Sequence, residues 1–475
     1  MSVARRIAKN IGALTVARAA VLGLNFVTWV HLARVLAPDA YGVLSFGLAL
    51  LAYFLLTVSL GFDKYTVREI ARDKATVRDL VSDVLSARLT LALLSSIVYG
   101  TIVVLLHETP EATWALALMG AQLLVQAIRL DWVYQGIERM GIIAARDATA
   151  SALTATVVLA FVREPSHLPL AALALVGAPL LSNASLFIAY ARDFGMPRLR
   201  VDRPALRALF AASIPLAAAS FVSEIYYSLD RLMLEAIRTT AEVGLYGAAY
   251  KVLGLALAPS AILSPAFFPA LSTAYGDAAA MRQRSRSFAR FMLASGVPLV
   301  VVAPFIATDL LTLLYGDLYA EAAAPLMLLL ANGSVMYIAM TFGIPLLAWN
   351  RQVAYMRAVL VGGGANVILN VALIAPYGPT GAALATLLSE FAVLLAIGYI
   401  FSRETGHAHV GLIIHACAVA ILGAGLPAAA AWFLGWPLWA LISAVLVGYP
   451  LVAVGAGLLP YTLIRRFLQS DASSA

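Results

Sequence analysis

The sequence has a single cysteine, Cys417, which excludes a disulfide framework and any thiolate metal cluster. Charge is scarce as well: 12% of residues are Asp, Glu, Lys or Arg, about half the share of a soluble domain. With 62% hydrophobic residues, that deficit excludes a chain folded wholly in water. No Walker A pattern occurs, so direct drive by ATP is not encoded. Gly362-Gly363-Gly364 lacks the following Lys-Ser/Thr and sits inside an apolar run, where close helix packing is expected instead. His407-x-His409 falls short of a metal site, and no cofactor motif appears. No long hydrophilic segment interrupts one side of the chain: the largest loop expected outside is about seven residues, from Arg163 to Pro169.

What the sequence does have is apolar length. A mean hydropathy of +0.90 spreads over 475 residues. A bilayer core takes about 20 residues of helix, because only closed hydrogen-bonding structures persist there. The runs predict an all-α polytopic membrane protein with about 14 transmembrane helices. These cover 11–36, 42–62, 84–106, 112–133, 147–162, 168–190, 208–237, 243–271, 288–313, 322–349, 354–375, 380–402, 411–434 and 438–463. The fifth is short. Arg5, Arg6 and Lys9 precede the first run as in a signal peptide, but 11–36 is too long for an h-region and is kept as a helix.

Charge sets the expected orientation. With the N-terminus inside, 24 of the 32 Lys and Arg lie in inside segments or within a turn of them, and only Arg163 and Arg238 lie outside. Losing one span would put Arg282, Arg284, Arg286 and Arg290 outside. We therefore expect a multi-pass protein of the bacterial inner membrane with both termini cytoplasmic. The net charge of +7 reports this orientation and makes no case for nucleic acid. Between Thr66 and Val84, Val67, Ile70, Val77, Leu80, Val81 and Val84 recur at helical spacing among charges, which predicts an amphipathic helix on the cytoplasmic leaflet.

A repeat divides the chain. His31-Leu-Ala-Arg-Val-Leu-Ala-Pro-Asp-Ala-Tyr-Gly-Val43 joins the first two spans, and Glu235-Ala-Ile-Arg-Thr-Thr-Ala-Glu-Val-Gly-Leu-Tyr-Gly-Ala248 joins the seventh and eighth. Six spans separate them, an even number, so the halves would be parallel repeats. With the Pro- and Arg-rich stretch 191–207 as boundary, the expected units are a six-helix lobe at 1–200, a second at 201–405, and two additional helices at 406–475.

Leu229-Asp-Arg-Leu-Met-Leu234, Val243-Gly-Leu-Tyr-Gly-Ala-Ala-Tyr-Lys-Val-Leu253 and the stretch from Asn366 to Glu390 resemble the polysaccharide biosynthesis proteins, the Wzx-like oligosaccharide flippases of the multidrug/oligosaccharidyl-lipid/polysaccharide exporter superfamily. The resemblance implies two six-helix lobes with two extra helices. It also implies alternating access that carries an undecaprenyl-diphosphate-linked sugar unit to the outer leaflet, beside polymerase or glycosyltransferase partners. A membrane-embedded glycosyltransferase or polymerase would carry catalytic acids on a sizeable outside loop. Asp39 stands alone at the first outside turn, which speaks against an enzyme. A drug or cation exporter of the same superfamily and a lipid II carrier remain alternatives.

Polar groups deep in a span mark transport candidates. Arg18 is ~10 Å inside the first span, with Asn25 on the same face; Lys251 is ~12 Å and Glu224 ~20 Å from the outer edge. Glu224, Tyr227, Ser228, Arg231 and Glu235 form one stripe, and Gln122, Gln126 and Arg129 a shorter one. Arg18, Asn25, Gln122, Gln126, Arg129, Glu224, Tyr227, Arg231 and Lys251 are the substrate-binding candidates, and Glu224 and Glu390 the ion-coupling ones. Arg34, Arg88, Arg129 and Asp131 also fit snorkelling near a boundary. Pro215, Pro259, Pro265, Pro298 and Pro345 predict kinks.

Overall fold

The computed structural model describes residues 3–106, 109–200 and 202–459, without the side chains of 3–19, 216, 219, 222, 223 and 225–227. Helices occupy nearly all of these residues, and no strand occurs among them. A backbone without water to bond must satisfy itself, and the helix does so within one segment. Eleven helical stretches among the described residues are long and apolar enough to cross a bilayer.

The chain divides into two compact units, 1–247 and 248–475. In the first, α1 (Val3–Ser59) is followed by α2 (Phe62–Arg72), α3 (Val77–Leu105), α4 (Pro110–Gly120), α5 (Gln122–Ala127) and α6 (Asp131–Gly136). Then come α7 (Met140–Phe161), α8 (Leu168–Phe194), α9 (Arg203–Ile237) and the start of α10 (Thr240–Ala256). The second unit holds the rest of α10, α11 (Ala258–Ser272), α12 (Ala278–Tyr315), α13 (Ala323–Ala348) and α14 (Gln352–Thr405). It ends with α15 (Val410–Ala420), α16 (Leu426–Phe433) and α17 (Leu438–Gly455).

Two helices of double length are hairpins. Ala37, before Pro38, leaves helical dihedrals at φ 59°. Trp29 and Tyr41 then meet edge to face at 6.2 Å, where a straight helix would hold them about 18 Å apart along its axis. Gly378, at φ 54° between Pro376 and Pro379, turns α14 in the same way. The eighth span breaks at Leu257, before Pro259 at the start of α11, because proline disfavours helix in the residues ahead of it. Pro215, Pro298 and Pro345 lie inside α9, α12 and α13.

Two expectations need correction. The fifth span is not short: α7 runs 22 residues and takes in Arg146, just ahead of the expected start at Asp147. Both charges are tolerated because Arg146 pairs with Asp131 and Asp147. The amphipathic stretch 66–84 does not lie bare on a leaflet. Thr66 and Ile70 of α2 and Val77, Val81 and Val84 of α3 are buried in a core with Leu130, Trp132, Val133, Leu186 and Tyr190, so protein covers the apolar stripe that lipid was expected to cover. A Cβ on Gly136 would stand 2.7 Å from Ile70, which fixes how closely α6 meets α2.

The second unit has its own core around Phe288, Met292, Tyr337, Phe342, Trp349 and Phe401. In α14, Gly362 packs as expected, since a Cβ there would overlap Val393, whereas Gly363 and Gly364 face open space.

Candidate functional site

The repeated hairpins meet inside the first unit, and they meet by backbone. A Cβ on Gly42 would stand 2.8 Å from the Thr240 carbonyl carbon and nearer still to its oxygen. Reciprocally, a Cβ on Gly244 would stand 2.9 Å from the Pro38 carbonyl carbon and 3.0 Å from the Gly42 nitrogen. Only glycine permits this approach. Tyr41 and Tyr246, the tyrosines of the two motifs, are fully buried beside the seam. The facing pairs relate one copy of the repeat to the other.

The α9 stripe carries a connected polar group. The Ser228 hydroxyl donates to Glu224 Oε1, and the Arg231 guanidinium donates to Ser228 Oγ at 3.0 Å, so three side chains at i, i+4 and i+7 form one chain. Tyr53 of α1 donates to the Glu224 carbonyl at 3.4 Å. Asp230 accepts the Arg231 backbone N–H at 2.8 Å and the Tyr246 hydroxyl. It is 3% exposed, and these two donors offset the cost of burying a carboxylate.

The shorter stripe separates. Gln126 donates to Ser59 at 2.6 Å, while Gln122 Oε1 is buried with no hydrogen-bond partner. Arg129 is bound to Asp131, which also takes Arg146. Arg146 reaches Asn183 at 3.2 Å, and Ser182 donates to the Arg146 carbonyl at 2.8 Å. Arg88 pairs with Asp63 at 2.6 Å and donates to the Arg129 carbonyl at 3.0 Å. These contacts overturn the snorkelling reading for Arg88 and Asp131. Arg88 is 1% exposed, and its charge is met by a carboxylate of the protein instead of by water. Asp63, Arg146 and Asn183 were missed because each partner lies on another helix.

Asn25 is half-buried in α1. Arg18 and Tyr227 have side chains outside the described residues. Lys251, in the second unit, is half-buried in α10, and Glu390 is 6% exposed in α14, near Tyr355. Among the described residues, no group of three His, Cys, Asp or Glu side chains could hold a metal.

Residues 7–274 match the family model described as polysaccharide biosynthesis protein. The chain belongs to that family. The polysaccharide biosynthesis protein it forms is 24% identical over 198 residues to the capsular polysaccharide biosynthesis protein CapF of Staphylococcus aureus, covering 41% of this chain and half the length of that protein. It is also 24% identical over 397 residues to the succinoglycan biosynthesis transport protein ExoT of Rhizobium meliloti, covering 80% and 74% of the two chains. Among solved structures, its fold matches the lipid II flippase MurJ in an inward closed conformation with a TM-score of 0.71 at 14% identity, over 93% of this chain and 98% of that one. An inward-facing multidrug transporter of the MATE family matches with a TM-score of 0.63 at 14% identity, over 81% and 94%. The family match and this fold place the chain among polytopic membrane proteins of polysaccharide biosynthesis.

Proposed function

We propose that this protein is a carrier and not an enzyme, and that it moves an undecaprenyl-diphosphate-linked oligosaccharide from the cytoplasmic to the outer leaflet of the bacterial inner membrane. The cargo would feed synthesis of O-antigen, capsule or exopolysaccharide, with a polymerase or glycosyltransferase downstream. The observation that carries the reading is the glycine seam between the two repeated hairpins. The seam joins the two copies of the repeat by direct backbone packing, and alternating access would require those copies to move against each other there. Family membership supports a saccharide cargo. In this reading the chain makes fourteen crossings with both termini cytoplasmic and has lobes at 1–200 and 201–405 followed by the helices of 406–475. Alkaline phosphatase fused after Arg163 is then active and after Arg200 inactive; the reverse pattern overturns the topology.

The cargo's diphosphate carries about two negative charges, which enter a low-dielectric cavity only if cations meet them. Arg18 and Lys251 are the proposed partners, the guanidinium able to hold two oxygens at once. Asn25, Gln122, Tyr227 and Arg231 would supply hydrogen bonds to sugar and phosphate. Gln126 and Arg129 reach cargo only by exchanging Ser59 and Asp131. Glu224 and Glu390 are the carboxylates proposed to couple transport to an ion gradient. The test is polysaccharide export in a flippase-deficient strain. Arg18→Ala and Lys251→Ala at normal protein levels should each lose most export and Arg18→Lys should retain part; full export by the double variant removes both from the site.

A further inference from the structure

The two halves both place a capping aspartate ahead of their third helix but furnish its start differently, with mixed charge on α3 and arginines on α12. In the first half, Asp73 accepts the Ala75 N–H ahead of α3; in the second, Asp277 caps α12 by accepting from Ala279 and Ala280. In each half the sixth span closes on a glycine at positive φ, Gly195 at 85° and Gly406 at 69°.

The first half closes its own site. Arg200, in the loop after α8, pairs with Asp83 at 2.7 Å and Asp79 at 2.9 Å on α3. The Arg198 and Arg200 N–H groups donate to Ser82 at 3.2 Å and Ser86 at 3.0 Å. The hydrogen bond to Asp83 and the charge of both carboxylates hold the Arg200 guanidinium above its ordinary pKa.

The second half has no such closure. Arg282, Arg286 and Arg290 stand at four-residue steps on one face of α12 and line a groove of about 800 Å3 with Gln283 and Ser287. No ion pair forms to these three among the described residues, and Arg290 Nε is buried without a hydrogen-bond partner. The carboxylate at the start of the helix is committed elsewhere: Asp277 caps α12 through the Ala279 and Ala280 N–H groups. Arg284 is also occupied, donating to the Ala270 carbonyl at 2.6 Å. The loop after α14 brings His407 and His409 where the first half brings an arginine, and burial, with the charges of His407 and Arg286, keeps His409 neutral.

Three guanidiniums one turn apart repel each other until a counter-charge arrives. They span about 12 Å of helix, up to and just into the apolar run that begins at 288, where a headgroup layer would lie. We propose that Arg282, Arg286 and Arg290 form a binding site for a phosphate-bearing anion at the membrane surface, whichever cargo the protein carries. Guanidinium forks match phosphate oxygens pairwise, and the site takes either an anionic lipid headgroup or a free phosphate compound.

The full chain in neutral detergent is titrated with phosphatidylglycerol, phosphatidylcholine or inorganic pyrophosphate, and the thermal midpoint is followed. Phosphatidylglycerol or pyrophosphate raises the midpoint, and the apparent affinity falls about tenfold or more in R282Q/R286Q/R290Q. The triple lysine variant retains part of the response, and Arg163→Gln retains all of it. A response to phosphatidylglycerol alone assigns a lipid headgroup; one to pyrophosphate assigns a free phosphate compound. If the triple glutamine variant fails to fold, Arg286→Gln alone should weaken binding severalfold. The proposal is overturned if neither anion shifts the wild type, if phosphatidylcholine acts as strongly as phosphatidylglycerol, or if the glutamine variants bind like the wild type.

Discussion

Replacing Gly42 by alanine sets a methyl group 2.8 Å from the Thr240 carbonyl carbon, where ordinary contact begins at 3.4 Å. The Thr240 oxygen is nearer still, so the facing hairpin must retreat by more than an ångström. Because the obstacle is backbone, no side-chain rotation can absorb the overlap. Overpacking of this kind costs about 1–3 kcal/mol, and 2 kcal/mol changes a two-state ratio roughly 30-fold. The cost falls only on the state in which the hairpins touch, so Gly42→Ala and Gly244→Ala should shift the protein toward the parted state. Ala49 is fully buried two turns below Gly42 on the same face of α1. In a Cys417→Ala background, a cysteine at position 49 should react slowly with a membrane-impermeant maleimide added outside. Adding Gly42→Ala should speed that reaction roughly 10- to 30-fold at unchanged protein level. An unchanged rate in a folded double variant would refute the seam as a gate.

Asp63→Ala should lower stability by about 3 kcal/mol, read as the thermal midpoint in detergent, because it strands the buried Arg88 charge; Asp63→Ala with Arg88→Met should recover much of the loss. His409 is pushed down to about 4 by burial and by the charges of His407 and Arg286, so between pH 6.5 and 4 the unfolded chain binds more protons than the folded one. Stability should therefore be full above pH 6.5 and fall by on the order of 3 kcal/mol on approaching pH 4, whereas His409→Phe should flatten that part of the profile. Arg200→Ala should release the 195–200 loop from Asp79 and Asp83 and speed its proteolysis severalfold, with little change in the global midpoint.

Helical periodicity exposes what lies along one helix and hides what lies across two. The Glu224–Ser228–Arg231 chain was legible because its members share a face at i, i+4 and i+7. The Asp63–Arg88 pair and the Arg146–Asp131 link were not, since nothing in local spacing says which helices meet. A hydropathy window stops at a charge whether or not that charge has a partner, which is why the fifth span seemed to start after Arg146. An apolar stripe looks the same under lipid as under protein, so the 66–84 segment was given the wrong cover. The hairpin motifs showed the repeat but not its contact. That Gly42 and Gly244 face each other follows from the fold alone.

The most direct measurement is translocation itself. The purified chain is reconstituted in liposomes with a fluorescent undecaprenyl-diphosphate-linked oligosaccharide in the inner leaflet, and arrival outside is scored by an impermeant quencher or glycosidase. The account predicts transfer that scales with protein, responds to an imposed ion gradient, and falls in the Arg18→Ala and Lys251→Ala variants. Folded protein that moves no more of this lipid than empty liposomes would contradict it.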